Sequence, residues 1–131
     1  MPGMGHSGAA RAGILNLTET ASVKWAPVRA NAEAPGWIAS SGFDSYTLEM
    51  APLIKGLANN VPARRLGSES EVSAAIVFLL SPAAGFISGA CLRVDGAAPN
   101  AKRVGPAVGS GKTTLAFNGF HLAQIPKVLK G

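Results

Sequence analysis

The chain has 131 residues, 12 Lys+Arg against 7 Asp+Glu, and a formal net charge of +5. Residues 1–100 hold seven bases and all seven acids, so Lys102, Arg103, Lys112, Lys127 and Lys130 supply the whole excess from an acid-free final stretch. These figures exclude an acidic disordered chain, a disulfide scaffold and a generally basic nucleic-acid binder, while 47% hydrophobic residues suffice for one packed domain.

In chain order, residues 9–25 read as a helix, because Ile14, Leu17, Ala21 and Trp25 recur at spacings of three and four and Pro27 stops it. Residues 28–34 alternate small apolar and polar side chains, the pattern of a strand, and Pro35-Gly36 ends it. Residues 44–60 carry helical spacing in Tyr46, Met50, Ile54 and Leu57, with Pro52 predicting a kink or two short helices. Ser68-Glu69-Ser70-Glu71 is a capping box, with Ser68 as N-cap and Glu71 placed to reach back. Val72, Ala75, Ile76 and Leu79 form the stripe behind it, and Ser81-Pro82 closes that helix. Residues 86–94 are an apolar run between Gly85 and Gly96, which suits a buried strand with Cys91 as an inert interior thiol. After residue 100 the pattern dissolves, and 101–131 reads as a basic, irregular, extended tail.

Helix, strand, helix, strand implies an α/β fold with parallel strands covered by helices. Two strands are fewer than such a sheet needs, so 1–100 reads as part of a domain. No apolar run approaches the ~20 residues of a membrane span, and no basic-then-apolar leader is present. The expected location is therefore the cytoplasm, with neither membrane nor nucleic acid as partner.

Three stretches then stand out together: HSGAARAGILNLTETAS (6–22), VRANAEAPGWIASS (28–41) and VPARRLGSESEVSAAIVFLLSPAAGFISGACLRVDGA (61–97). In this order they resemble the C-terminal half of a short-chain dehydrogenase/reductase, in the branch containing peroxisomal trans-2-enoyl-CoA reductases and bacterial citronellol-type dehydrogenases. The resemblance implies the C-terminal βαβ portion of a doubly wound Rossmann fold, and an oxidoreductase moving a hydride between NAD or NADP and a small alcohol, ketone or enoyl thioester. It also implies that Pro35, Gly36, Trp37, Ile38 and Ser40 contact the cofactor. The Ile38 backbone would meet the nicotinamide carboxamide and the Ser40 hydroxyl a phosphate, with residues 41–60 as a lid over substrate.

The family's other functional residues do not match. Gly3-Met4-Gly5-His6-Ser7-Gly8 spells a phosphate-binding motif but lacks the strand that must precede it. The Tyr-x-x-x-Lys positions fall on Ser7 and Arg11 or on Leu15 and Glu19, and neither pair supplies a phenol beside an ammonium. Tyr46 sits in the lid, where it reads as a packing residue. No catalytic residue is therefore assigned, and a truncated, inactive fragment is expected. Glu33 stands where the family prefers an apolar residue, which costs several kcal/mol if it is buried unpaired and nothing if it faces water.

The alternative is a non-catalytic half-domain that acts only by association with a second copy or another chain. A minor alternative lies at Gly109-Ser110-Gly111-Lys112-Thr113-Thr114, which resembles the end of a phosphate-binding loop although Pro106 stands where that motif requires Gly. Phe117, Phe120 and His121 read as an arm that docks onto a neighbour.

Overall fold

The computed structural model describes residues 5–101, 113–119 and 125–130. Its regular elements are α1 (Gly5–Lys24), β1 (Ala32–Pro35), β2 (Ile38–Ala39), α2 (Ala51–Gly56), β3 (Gly67–Ser68), α3 (Glu69–Leu80) and β4 (Cys91–Val94), with short 3-10 turns between them. β1 pairs with β4 and β2 with β3, giving two small sheets. Ala32 N–H meets the Ala90 carbonyl and Gly36 N–H meets that of Val94, so partners advance together along both segments, as parallel strands require. The fold is α/β, as expected. Among the described residues no helix is long and apolar enough to cross a membrane.

The chain divides into two compact units, residues 1–34 with 76–93 and residues 35–75 with 94–131. In the first, α1 runs from Gly5, four residues earlier than its apolar spacing predicts, so His6, Ser7 and Arg11 lie in its opening turns. The expected apolar face of α1 is present in the spacing but is not buried. Only Ala21 is buried, while Ile14, Leu17 and Trp25 stay more than half exposed because no described layer covers them. Closer to its end α1 approaches Gly89, where a Cβ would lie 2.7 Å from Ser22 Oγ; Gly89 also has φ +78, so two constraints select glycine there.

The predicted strand 28–34 begins only at Ala32; before it, Gly89 N–H donates to the Ala30 carbonyl at 2.7 Å and side chains supply the other bonds between the two segments. Asn31 donates from Nδ2 to the Ile87 carbonyl at 2.9 Å and accepts from Ala90 N–H at Oδ1 at 3.0 Å, and Ala30 N–H donates to Ser88 Oγ. Arg29 turns to the end of α3, donating to the carbonyls of Leu79 (2.7 Å), Ser81 and Ile87. Helix ends leave carbonyls without intrahelical partners, and a guanidinium is a suitable donor there.

The predicted strand 86–94 also shortens. Phe86 is fully exposed, the backbone turns at Gly89, and Cys91–Val94 alternates exposed Cys91 and Arg93 with half-buried Leu92 and Val94. Cys91 is thus an exposed free thiol and not an interior one. Glu33 takes the costly alternative in part: its Oε1 is buried without a hydrogen bond among the described residues, and burial pushes the carboxyl above its ordinary pKa.

In the second unit, residues 44–60 form short helical pieces that meet beside Pro52, nearer to the expected two short helices than to one kinked helix. The 3-10 turns Ser41–Ser45 and Leu48–Met50 precede α2, and Leu57–Asn60 follows it. Pro52 sits in the first turn of α2, where a missing N–H costs nothing, so it starts a helix instead of bending one. Ile54, Leu57 and Val61 are buried here. The residues 113–119 and 125–130 of the expected tail belong to this same unit.

Arg29→Ala should lower stability by about 2 kcal/mol, the range for hydrogen bonds to a charged group, here with partly buried carbonyls. Urea denaturation checks this, and an unchanged midpoint would remove Arg29 from the list of anchors.

Candidate functional site

The residues singled out by the sequence, Pro35 to Ser40, lie together in the second unit as one strand end and the short strand after it. Pro35 closes β1 and faces outward. Gly36 donates its N–H to the Val94 carbonyl at 2.9 Å, and a Cβ there would sit 2.7 Å from Asp95 Cα and 2.8 Å from Asp95 Cβ. Backbone cannot yield as a flexible side chain does, so this close approach requires glycine. Asp95 is itself held in a turn, accepting Ala97 N–H at Oδ1 and Ala98 N–H at its carbonyl. Gly96 and Ala97 both have positive φ there, and a Cβ on Gly96 would meet Val61 Cγ1 at 2.6 Å.

β2 lies beside β3, with Ile38 opposite Gly67 and Ala39 opposite Ser68. Gly67 N–H donates to the Trp37 carbonyl at 2.9 Å. Successive peptide groups of a strand alternate sides, so the N–H and C=O of Ile38 point away from β3. Ser40 follows in extended conformation, its carbonyl accepting Phe43 N–H. Among the described residues its hydroxyl makes no capping hydrogen bond to the turn it precedes. The arrangement therefore offers a backbone donor and acceptor at Ile38 and a hydroxyl at Ser40, on a segment pinned along its other edge.

The pinning comes from the capping box. Glu71 N–H donates to Ser68 Oγ at 3.2 Å, and Ser68 N–H donates to Glu71 Oε2 at 2.9 Å, as the spacing predicts. The sequence did not reveal the third member. Arg65 grips the same carboxylate with both terminal nitrogens, at 2.8 and 2.6 Å. A two-pronged contact of this kind is the geometry guanidinium and carboxylate favour. Arg65 holds Glu71 at about 2, below the ordinary 4.5, with help from the backbone N–H groups of Ser68 and Phe117 against the opposing effect of burial. Only Arg65's position six residues before Glu71 hinted at this, and the adjacent Arg64 offered an equal claim.

Other candidates fall elsewhere. Tyr46 is about half exposed, with its ring tilted toward Phe43 at 6.3 Å, so it does not fill a core. Gly109 to Lys112, Phe120 and His121 lie outside the described residues. Thr114 Oγ1 accepts a hydrogen bond from Arg65 Nε at 3.2 Å, and the Phe117 carbonyl accepts one from Ser68 Oγ at 2.7 Å. This part of the expected arm meets its own chain.

The family model described as Enoyl-(Acyl carrier protein) reductase matches residues 1–97. The Bacillus subtilis protein named "Probable 2,4-dienoyl-CoA reductase" is 41% identical over 97 residues, covering 72% of this chain and 38% of its own length. The structure of a citronellol catabolism dehydrogenase from Pseudomonas aeruginosa PAO1 is 57% identical, with a TM-score of 0.59 over 75% of this chain and 36% of that one. A gluconate 5-dehydrogenase from Burkholderia cenocepacia J2315, solved with NADP and tartrate, is 30% identical with a TM-score of 0.63, over 72% and 37%. The chain thus spans little more than a third of the length of the relatives it matches.

Two outcomes follow from this geometry. Gly36→Ala should cost about 1–3 kcal/mol through the clash with Asp95, measured by thermal or urea unfolding; a neutral result would mean that the strand end yields freely. Glu71 has a depressed folded pKa, so its contribution is complete above the ordinary 4.5 and is lost as pH falls toward about 2. The unfolding midpoint of the native chain should therefore fall across that window more steeply than that of Glu71→Gln. Equal slopes would contradict the ion pair.

Proposed function

The chain belongs to the short-chain dehydrogenase/reductase family, and we propose that its residues 35–40 form the nicotinamide-side wall of an NAD(H)- or NADP(H)-dependent oxidoreductase site. The observation that carries this reading is the Ile38 peptide edge turned away from β3, beside a Ser40 hydroxyl that among the described residues makes no capping bond to the turn after it. A carboxamide both donates and accepts, which matches one N–H and one C=O on the same strand edge. A phosphate oxygen accepts, which matches a hydroxyl with no bond to its own turn. Pro35 and Gly36 shape the entry to this edge, with Gly36 allowing the strand end to lie against Asp95. Trp37 bonds to Gly67 through its carbonyl and so keeps the segment straight.

When bound, the cofactor would supply or accept the hydride, with an alcohol, ketone or enoyl thioester as the substrate class. These 131 residues bind and orient. The Tyr-x-x-x-Lys pair is not among them. The full reaction therefore draws on residues beyond this set, and this chain by itself should show no turnover with NADH or NADPH. An exposed thiol at Cys91 accords with a reducing, cytoplasmic setting.

Association with another chain is the second reading. It is favoured by Ile14, Leu17 and Trp25, more than half exposed on the spacing that marks a buried face. A second copy or a complementary part of the same fold would cover them.

Titration with NADH and NADPH, followed by energy transfer from tryptophan to the reduced nicotinamide, tests the first reading. A saturable signal is expected, weakened about 5-fold by Ser40→Ala, the effect of one hydrogen bond. No saturable signal with either cofactor at millimolar concentration would overturn it.

A further inference from the structure

We propose that the C-terminal stretches 113–119 and 125–130 form a strap that fixes residues 41–60 of the same chain and so sets how readily substrate reaches residues 35–40. The strap stands on contacts within the second unit. Its link to substrate rests on the reading of residues 35–40 given above.

One anchor lies at the start of α3. Ser68 Oγ donates to the Phe117 carbonyl at 2.7 Å and Arg65 Nε donates to Thr114 Oγ1 at 3.2 Å. Both donors already hold the Glu71 carboxylate and its helix, and Ser68 sits opposite Ala39, one residue before Ser40. This end of the strap is thus fastened to the framework that positions the proposed site.

The other anchor lies on residues 41–60. Lys127–Leu129 forms a single 3-10 turn with Pro126 before it. A turn's first N–H groups need an acceptor, and proline has no side-chain oxygen to provide one. Asp44, 83 residues away in sequence, provides it instead: Lys127 N–H donates to Asp44 Oδ1 at 2.7 Å. Pro126 is fully buried, Val128 and Leu129 are half-buried, and the turn packs against α2 and the Ser41–Ser45 turn.

Residues 41–60 need such support. They consist of 3-10 turns around a six-residue helix; Ile54 and Leu57 are buried, but the stretch 41–50 before that helix buries no side chain and leaves Leu48 almost fully exposed. Helices this short gain most of their stability from packing, and segments with few buried contacts open locally at low cost. Two anchors on one chain also reinforce each other, since either one keeps the second near its partner.

Hydrogen exchange read by mass spectrometry on the full chain tests this. Exchange across residues 41–60 should rise about 5-fold in Asp44→Ala and in a chain ending at residue 124, the scale of one lost hydrogen bond. It should remain near the native rate in Asp44→Asn, which keeps an acceptor, and α1 and α3 should be unchanged in every case. Unchanged exchange at 41–60 in both disrupted chains would overturn the strap. So would a uniform rise that includes α1 and α3, since that reports general unfolding. Cofactor titration of the same variants keeps the two proposals apart: altered exchange without any saturable signal retains the strap and removes the site reading, whereas a saturable signal with unaltered exchange does the reverse.

Discussion

The second unit depends on a single carboxylate. Glu71 accepts two hydrogen bonds from Arg65 and further ones from the backbone N–H groups of Ser68 and Phe117, while its own N–H is taken by Ser68 Oγ. The helix start, the loop that carries Arg65 and the strand β3 therefore meet at one group. β3 in turn holds β2, and the C-terminal stretch fastens to the same Ser68 and Arg65. A charge so well supplied with donors offsets its desolvation, which unpaired Glu33 does not. The contrast explains why the Glu71 carboxyl lies below its ordinary pKa and that of Glu33 above it.

The first unit works without such a centre. Its strand pair is short, and side chains extend it: Asn31 bonds at both ends of its amide, while Arg29 collects carbonyls from the end of α3 and from Ile87. Few side chains are truly interior, and Ala21 and Ala84 are the buried hydrophobic ones described in this unit. Polar anchoring of backbone compensates where apolar burial is thin. This accords with a chain that matches little more than a third of its relatives' length.

How much of this was legible depended on distance along the chain. The capping box was legible because its two residues are three apart and their chemistry is local. The α/β order and the strand end at Pro35-Gly36 were legible for similar reasons. Arg29 and Asn31 were not, since their partners lie 50 to 59 residues away and no periodicity announces them. The bond from Lys127 to Asp44 was equally hidden. Helical spacing misled on α1, because it shows which residues share a face and not whether anything covers that face. Pro52 marked the break correctly but not which side of it the helix would lie on, because the ring that breaks a helix interior is welcome in a first turn. In the site, residues 35–40 came from resemblance, whereas the outward edge of Ile38 needed the pairing of β2 with β3.

Asn31 also answers a question that strands this short raise. A strand with a clear apolar face can pair in only one register, since a slip of one residue turns that face outward. β1 reads Ala32-Glu33-Ala34-Pro35; its alternation sets only small alanines against Glu33, and all three are half-buried alike. Burial alone would barely distinguish the native alignment with β4 from its neighbours. A slip of one residue displaces the Ile87 carbonyl and the Ala90 N–H by about 3.3 Å, beyond the reach of a single amide. At the start of the pair, the alignment is therefore fixed in part by one side chain lying just outside the strand it aligns.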